Sequence, residues 1–582
     1  MGLALQALHA GLRTGGQSAR VVDRVNPAHR CVEPVGAGQH LGLAATDRYR
    51  ASTSASLGGM GASLPPDVTR WVCHVQPWSA PRQPLCINFY TYCKQRANMR
   101  YTSSVGSACV ARQTKKMADS DLLARHRAVM PDWAALYYEH PIELVSGEGS
   151  RITDSGGRSY LDFFAGILTN MIGYNVREVR EAVQRQLSTG IVHTSTLYLI
   201  RQQVELAEKV ARLSGIEDAK VFFVNSGTEA NETALLLATC ARRSDQVLAM
   251  RGSYHGRSFG AVAITGNRGW KPSSLSPVNV HYLHGADRQL PAFAGLTDGE
   301  YIAACVADLR YVLATATAGD VACLIAEPVQ GVGGFTMAPD GLFGAYKEVL
   351  DAHGILFVSD EVQTGWGRTG DSFWGIGNHG VTPDIMTFAK GLGNGFAIGG
   401  VVARGSLMDG LPAAGISTFG GNPLATTAAA ATLGYVLDHD LQANARALGR
   451  LIIEGLREQV GRLPAVGGIR GKGLMFAVDL VEPGTGAPSP RLATRVLEET
   501  RARGLLVGKG GLAGNTLRMA PPMVLSEAEA KEGLSILVEA ITAVNAEGTG
   551  AEGTGAGATG AEATGAEATG AGVTGRKEAP DE

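Results

Sequence analysis

The stretch Ala219-Lys220-Val221-Phe222-Phe223-Val224-Asn225-Ser226-Gly227-Thr228-Glu229-Ala230-Asn231 decides the fold. Its first six residues, rich in Val and Phe, read as a buried strand. The strand stops at Asn225-Ser226-Gly227, and a helical pattern follows at once. Ala230, Ala234, Leu237 and Ala238 recur at the i, i+4, i+7, i+8 spacing of one helix face. Three further apolar runs bounded by turn residues stand at 321–326, 355–358 and 385–389, and helical patterns cover 301–315 and 342–353. Alternating strands and helices predict an α/β fold with a mainly parallel sheet covered on both faces.

In such sheets ligands bind beyond the carboxyl ends of the strands. Four strand ends here carry chemistry. The first is followed by Ser226-Gly227-Thr228 and the second by Glu327-Pro328-Val329-Gln330-Gly331. The third runs into Ser359-Asp360-Glu361-Val362-Gln363-Thr364-Gly365 and the fourth into Lys390-Gly391-Leu392-Gly393. The turn at Ser226 opens a helix, where free N–H groups and the positive dipole end favour a phosphate, and Gly227 permits close backbone approach. Taken alone it is equally an ordinary helix cap. Asp360 at the end of a buried strand needs a cationic partner, and alone it reads as a structural ion pair just as well. A buried Lys390 has a depressed pKa and becomes a nucleophilic amine that condenses with aldehydes. Together the three fit pyridoxal 5'-phosphate: the lysine for its aldehyde, the acid for its ring nitrogen, the helix start for its phosphate.

The same residues, in the same order, resemble the class III (ω-type) aminotransferases, of alanine–glyoxylate and 4-aminobutyrate aminotransferase type. The resemblance covers about residues 125–545. It implies fold type I, with a large domain of roughly 175–410. A smaller α+β domain would be built from about 125–174 plus 411–545. It further implies that Ser226, Gly227 and Thr228 hold the phosphate, and that Tyr254 in Tyr254-His255-Gly256-Arg257 lies on one ring face with Val362 beneath the other. Asp360 would bind the ring nitrogen, Gln363 would lie near the phenolic oxygen, and Lys390 would be the covalent and proton-moving lysine. Ser417-Thr418-Phe419-Gly420-Gly421-Asn422-Pro423 resembles the loop that lends Thr418 to the phosphate of a neighbouring subunit, which implies a homodimer. Arg257 and Arg518 are the candidate carboxylate forks. Glu327 is expected to pair with Arg518 for an ω-amino substrate and to release it for a 2-oxo acid. Arg257 can also be read as a surface arginine and His255 as a support for the ring stack. Gly173-Tyr174-Asn175-Val176-Arg177 departs from the resemblance: relatives often carry a histidine- and proline-containing turn there.

The ends of the chain differ from this body. Of 582 residues, 52 are Lys or Arg and 54 Asp or Glu, a net charge of −2. Residues 1–116 hold 14 basic and 4 acidic residues, and the remainder 38 and 50. A +10 leader thus masks a −12 body and tail. The leader reads as an extension outside the functional fold, from a start placed upstream of Met117, or as a targeting or accessory arm. Residues 546–575 are six Gly/Ala/Thr pentads, too poor in large apolar groups to offset chain entropy. The catalytic unit is therefore expected at 117–545, followed by a disordered tail. Within it, Cys240, Cys305 and Cys323 stand in apolar contexts and read as buried reduced thiols, and no metal-binding spacing occurs. A cytoplasmic location fits, or a mitochondrial one if the Arg-rich leader is a transit peptide.

The expected activity is transfer of an amino group from an ω-amino acid or alanine-type donor to pyruvate, glyoxylate or 2-oxoglutarate, by a ping-pong mechanism. An aminomutase or a decarboxylase would use the same site. A binding-module function would rest only on the basic leader. No nucleic-acid or membrane partner is expected, and neither a dinucleotide fingerprint nor a P-loop is present.

Overall fold

A computed structural model describes residues 122–550 except 135, 287 and 289, with 548–550 as backbone alone. The expectations for residues 1–116 and for the pentads beyond 550 fall outside these residues. A short helix α1 (Leu122–Val129) precedes the antiparallel strands β1 (Leu144–Glu148), β2 (Arg151–Asp154) and β3 (Ser159–Asp162). Asp154-Ser155-Gly156-Gly157, rich in turn formers, joins β2 to β3. Its Asp154 Oδ1 accepts from the N–H groups of Gly156 and Arg158 at 2.9 Å each.

Helices α2 (Arg177–Ser188) and α3 (Arg201–Ser214) then lead into the alternating body. Its strands are β4 (Ala219–Val224), β5 (Gln246–Met250), β6 (Asn279–Leu283), β7 (Cys323–Ala326), β10 (Leu356–Asp360), β11 (Ile385–Phe388) and β12 (Gly399–Arg404), with a two-stranded hairpin of β8 (Val329–Gln330) and β9 (Thr336–Met337). Between them run α4 (Gly227–Arg242), α5 (Phe259–Ile264), α6 (Asp298–Thr315) and α7 (Leu342–Ala352). The seven-stranded sheet has the order β4-β12-β11-β10-β7-β5-β6. Only β12 runs against its neighbours; the other six strands point the same way. The chain is therefore α/β with a mainly parallel sheet.

The two-residue period of a strand explains the double covering. Leu248, Leu324, Phe357, Met386 and Val402 pack into one core. Their neighbours Val247, Cys323, Val358, Ile385 and Val401 pack on the other face with Ala230, Ala234 and Ala238 of α4. The outward face of α4 carries Leu236 and, four residues on, Cys240. This corrects the reading of Cys240 as buried: it is exposed, while Cys305 and Cys323 are buried.

After α8 (Pro423–Asp438) and α9 (Leu441–Gln459) come β13 (Val466–Lys472), β14 (Met475–Leu480), α10 (Pro490–Ala502), β15 (Leu505–Leu506), β16 (Gly508–Gly510), β17 (Thr516–Met519) and α11 (Glu527–Gly550). Strands β13, β14, β17 and β16 form an antiparallel sheet, and β15 joins β3 in parallel, so one small sheet draws on both ends of the described chain. A capping box starts α11: Glu529 N–H donates to Ser526 Oγ at 3.3 Å and Ser526 N–H to Glu529 Oε2 at 3.0 Å. The helix continues to Gly550 and takes in the first pentad. No helix among the described residues is long and apolar enough to cross a membrane.

Candidate active site

The sheet brings the four loaded strand ends to one edge. β11, β10 and β7 are direct neighbours, so Lys390, Asp360 and Glu327 leave adjacent strands in the same direction. The start of α4 follows β4, one antiparallel strand away. At that start Ser226 is the N-cap: its Oγ accepts from Glu229 N–H at 3.2 Å. A Cβ at Gly227 would lie 3.0 Å from both Cγ atoms of Val362, so the missing side chain lets the helix start close on the pyridine-binding stretch.

Asp360 is buried and ends β10. Its Oδ1 accepts from Val362 N–H at 3.0 Å. Its Oδ2 accepts from Asn231 Nδ2 at 2.8 Å and lies 2.8 Å from Nδ1 of His255. Asn231 also donates to the His255 carbonyl at 2.8 Å, and its Oδ1 accepts from Thr387 Oγ1 at 2.7 Å. The carboxylate thus has a fixed orientation. Asn231 and Thr387 were not assigned roles from the sequence. A detectable signal was Asn231 itself, an amide next to the alanine face that α4 buries.

Lys390 opens a short 3-10 turn with φ +44°, an uncommon conformation for a side chain with a Cβ. Burial pulls its pKa down to about 8, with the Asp360 and Glu327 carboxylates pulling upward and Arg518 downward. Its ammonium has no hydrogen-bond or ion-pair partner among the described residues.

Glu327 is buried, and burial raises its carboxyl to about 7, opposed by His255 and reinforced by Asp360. Its Oε1 accepts from Tyr254 N–H at 2.8 Å and its Oε2 from Gly331 N–H at 2.9 Å. The expected pairing with Arg518 concerns a bound ω-amino substrate. Among the described residues the two form no direct ion pair, and each Glu327 oxygen accepts from a backbone N–H group instead. Glu327 and Arg518 meet at Gly331, whose carbonyl accepts from Arg518 Nη1 at 2.9 Å.

Arg518 is 2% exposed. Its guanidinium lies between the rings of Phe164 and Phe335, 5.4 and 5.6 Å from their centroids. Its other contacts are the Tyr137 hydroxyl at 3.5 Å and the Lys509 carbonyl at 3.4 Å. Its Nε has no partner. A buried guanidinium with only neutral partners can accommodate an anion. Phe164, Phe335 and Tyr137 gave no signal in sequence. Arg257 lies outside this set: it is exposed, with its guanidinium 4.7 Å over the Trp133 ring. Thr418 is exposed as well, on a loop whose Ser417 hydroxyl accepts from Asn225 Nδ2 at 3.4 Å.

Tyr254 is half-buried, with its ring edge-on to Trp270 at 5.4 Å. Gln363 Oε1 and His255 Nε2 are buried without partners. The unpartnered Gln363 and His255 side-chain atoms, the free Lys390 amine and the helix start at Ser226-Gly227-Thr228 are polar groups that pyridoxal phosphate can engage, and the residues present fit it.

The known proteins agree. The family described as aminotransferase class-III matches residues 134–541. The chain is 37% identical over 433 residues to the mitochondrial alanine–glyoxylate aminotransferase 2 homolog 2 of Arabidopsis thaliana, covering 74% of this chain and 87% of the relative. A phospholyase from Arthrobacter, solved in complex with phosphoethanolamine, is similar at 34% identity and a TM-score of 0.66, over 72% of this chain and 99% of that one. A PLP-bound amine transaminase from an uncultivated Pseudomonas species is 31% identical with a TM-score of 0.66, over 72% and 98%. A mainly parallel sheet with a half-buried lysine of lowered pKa at its carboxyl edge and relatives of this kind leave one assignment: the chain belongs to the class III aminotransferases, pyridoxal 5'-phosphate-dependent transaminases of fold type I.

Proposed function

We propose that the chain moves an amino group from an ω-amino acid or alanine-type donor to a 2-oxo acid (pyruvate, glyoxylate or 2-oxoglutarate) in two ping-pong half-reactions. The observation that carries this reading is that Lys390, beyond one strand end, lies within electrostatic reach of the buried Asp360 and Arg518. Pyridoxal phosphate, when bound, supplies the ring that accepts electrons from the substrate's breaking C–H bond. Lys390 Nζ, whose pKa burial lowers, would take that proton and return it at the carbon on the other side of the nitrogen. Asp360, fixed by Asn231 and His255, keeps the ring nitrogen protonated. Tyr254 and Val362 would flank the ring, Gln363 would serve its phenolic oxygen, and Ser226, Gly227 and Thr228 would take the phosphate. Arg518 would anchor the substrate carboxylate with Glu327 beside it, and Arg257, exposed near Tyr254, would offer a second fork.

The working unit is a homodimer in which Thr418 reaches the neighbouring subunit's phosphate. Support comes from exposed apolar residues: Leu197, Tyr198 and Leu199 are 72%, 70% and 99% exposed, and Ile416 and Phe419 beside Thr418 are 60% and 59% exposed. Residues 117–545 form the catalytic unit, with large and small domains divided near 175 and 410. The three cysteines among the described residues are free, which fits a reducing cytosol, with a mitochondrial location as the alternative.

The test is a donor–acceptor panel of β-alanine, 4-aminobutyrate and alanine against the three 2-oxo acids. Phosphoethanolamine joins the panel, with phosphate release as readout, because of the Arthrobacter relative. Amino transfer with at least one pair is expected. Phosphate release, decarboxylation or amine migration without any transfer would sink the proposal.

A further inference from the structure

The turn Gly173-Tyr174-Asn175 departs from the family pattern, and the site description leaves Tyr174 without a role. Its hydroxyl donates to Asp162 Oδ2 at 2.6 Å and accepts from Asn170 Nδ2 at 3.3 Å. Asp162 is 4% exposed and ends β3. Its other oxygen, Oδ1, accepts from the N–H groups of Phe164 and Ala165 at 2.8 and 2.9 Å. Four successive residues then take left-handed φ angles: Ala165 +48°, Gly166 +62°, Ile167 +64° and Leu168 +64°. L-residues avoid this conformation, so the turn needs an external clamp. The Asp162 carboxylate is that clamp, and Tyr174 holds the carboxylate.

The clamp acts on the substrate side of the cleft. Phe164 is buried, and Arg518 lies over its ring. The Tyr137 ring sits 5.7 Å away, and the Phe164 ring occupies the space a Cβ at Gly508 would need. Phe164 therefore cannot shift without moving the surface on which the guanidinium rests. We propose that Tyr174 is a positioning residue: through Asp162 and Phe164 it sets the place of the Arg518 guanidinium and so the affinity for the substrate carboxylate. The inference rests on the reading of Arg518 as the carboxylate anchor.

The same turn also touches the lysine side. Asn394, just after Lys390, accepts from Ile172 N–H at 3.0 Å and donates to the Gly173 carbonyl at 3.0 Å. The test must separate the two routes. In the full-length cofactor-loaded enzyme, succinate is titrated as a non-reacting carboxylate into wild type, Tyr174→Phe, Phe164→Leu, the double variant and Arg518→Lys. Tyr174→Phe should weaken succinate about five- to tenfold, less than the full worth of one hydrogen bond to a buried charge because the effect is relayed through Asp162 and Phe164. KM for the 2-oxo acid should rise by the same factor, with kcat falling less than about twofold. The double variant should bind no worse than Phe164→Leu alone. The pH titration of the cofactor's visible band should not move. If Tyr174→Phe lowers Tm or shifts that band while succinate binds as before, the proposal is overturned. If Arg518→Lys itself leaves succinate affinity unchanged, the anchor reading fails and the proposal falls with it.

Discussion

Asn231 Nδ2 donates to Asp360 Oδ2 at 2.8 Å, joining the first turns of α4 to the end of β10 across 129 residues of sequence. Nδ1 of His255 lies at the same oxygen. Replacing Asn231 by Leu keeps the volume and removes the amide, so a buried carboxylate loses one of its partners. The cofactor should bind about ten- to hundredfold more weakly, since hydrogen bonds to buried charges are worth about 1.5–3 kcal/mol. Absorbance titration of the cofactor-free chain measures this. Unchanged affinity would mean that His255 and the Val362 N–H suffice.

Lys390 gives a pH dependence with a definite sign. Its pKa of about 8 lies below the ordinary 10.5, so the neutral amine grows about tenfold per pH unit below 8 and levels above it. The rate at which the cofactor-free chain takes up pyridoxal phosphate should follow that curve. Between about pH 8 and 10.5 the unfolded chain holds the lysine proton and the folded chain does not. Wild type should therefore gain stability relative to Lys390→Met as pH rises through this window. Denaturant melts at several pH values supply the comparison. Lys390→Ala should lower amino transfer by at least about a thousandfold.

Arg518 should separate binding from chemistry. Arg518→Lys keeps the charge and loses the fork, and the two flanking rings suit a flat guanidinium better than an ammonium. KM for the 2-oxo acid should rise about ten- to hundredfold, with kcat much less affected. Steady-state kinetics with saturating donor decide it. Equal losses in kcat and kcat/KM would place Arg518 in the transition state instead.

Thr418 permits a complementation experiment. Chains carrying Lys390→Ala are mixed with chains carrying Thr418→Ala and reassembled. If Thr418 serves the neighbour, each hybrid dimer contains one site with both residues intact, and that site should bind cofactor with wild-type affinity. If Thr418 serves its own subunit, no intact site forms and affinity stays at the Thr418→Ala level.

Much of this site is legible in the chain because it is carried by strand ends, and strand ends are marked locally. The run at 385–389 announces Lys390, although the strand stops at Phe388 and the lysine stands in the turn beyond. The run at 355–358 announces Asp360, yet β10 continues through Ser359 and Asp360 themselves. Apolar patterning ends there, but pairing does not: Asp360 stays in register with Thr387 because Asn231 and His255 satisfy its charge. The substrate side is not legible in this way. Tyr137 meets Arg518 across 381 residues, and Phe164 follows an aspartate whose clamp on a left-handed turn has no spacing signature. Nor does any local pattern reveal that β12 enters the sheet reversed, since antiparallel and parallel buried strands read alike.

Gly331 gives its N–H to Glu327 and its carbonyl to Arg518, and a Cβ there would overlap the Gln363 amide. A residue with no side chain is thus the pivot for an acid, a guanidinium and an amide of three separate segments. The acid and the guanidinium are tied through one α-carbon, and the Gln363 amide fills the space beside it. Position 331 is therefore one at which even alanine would act at a distance, changing the strength of an acid and the reach of a cation without adding a functional group.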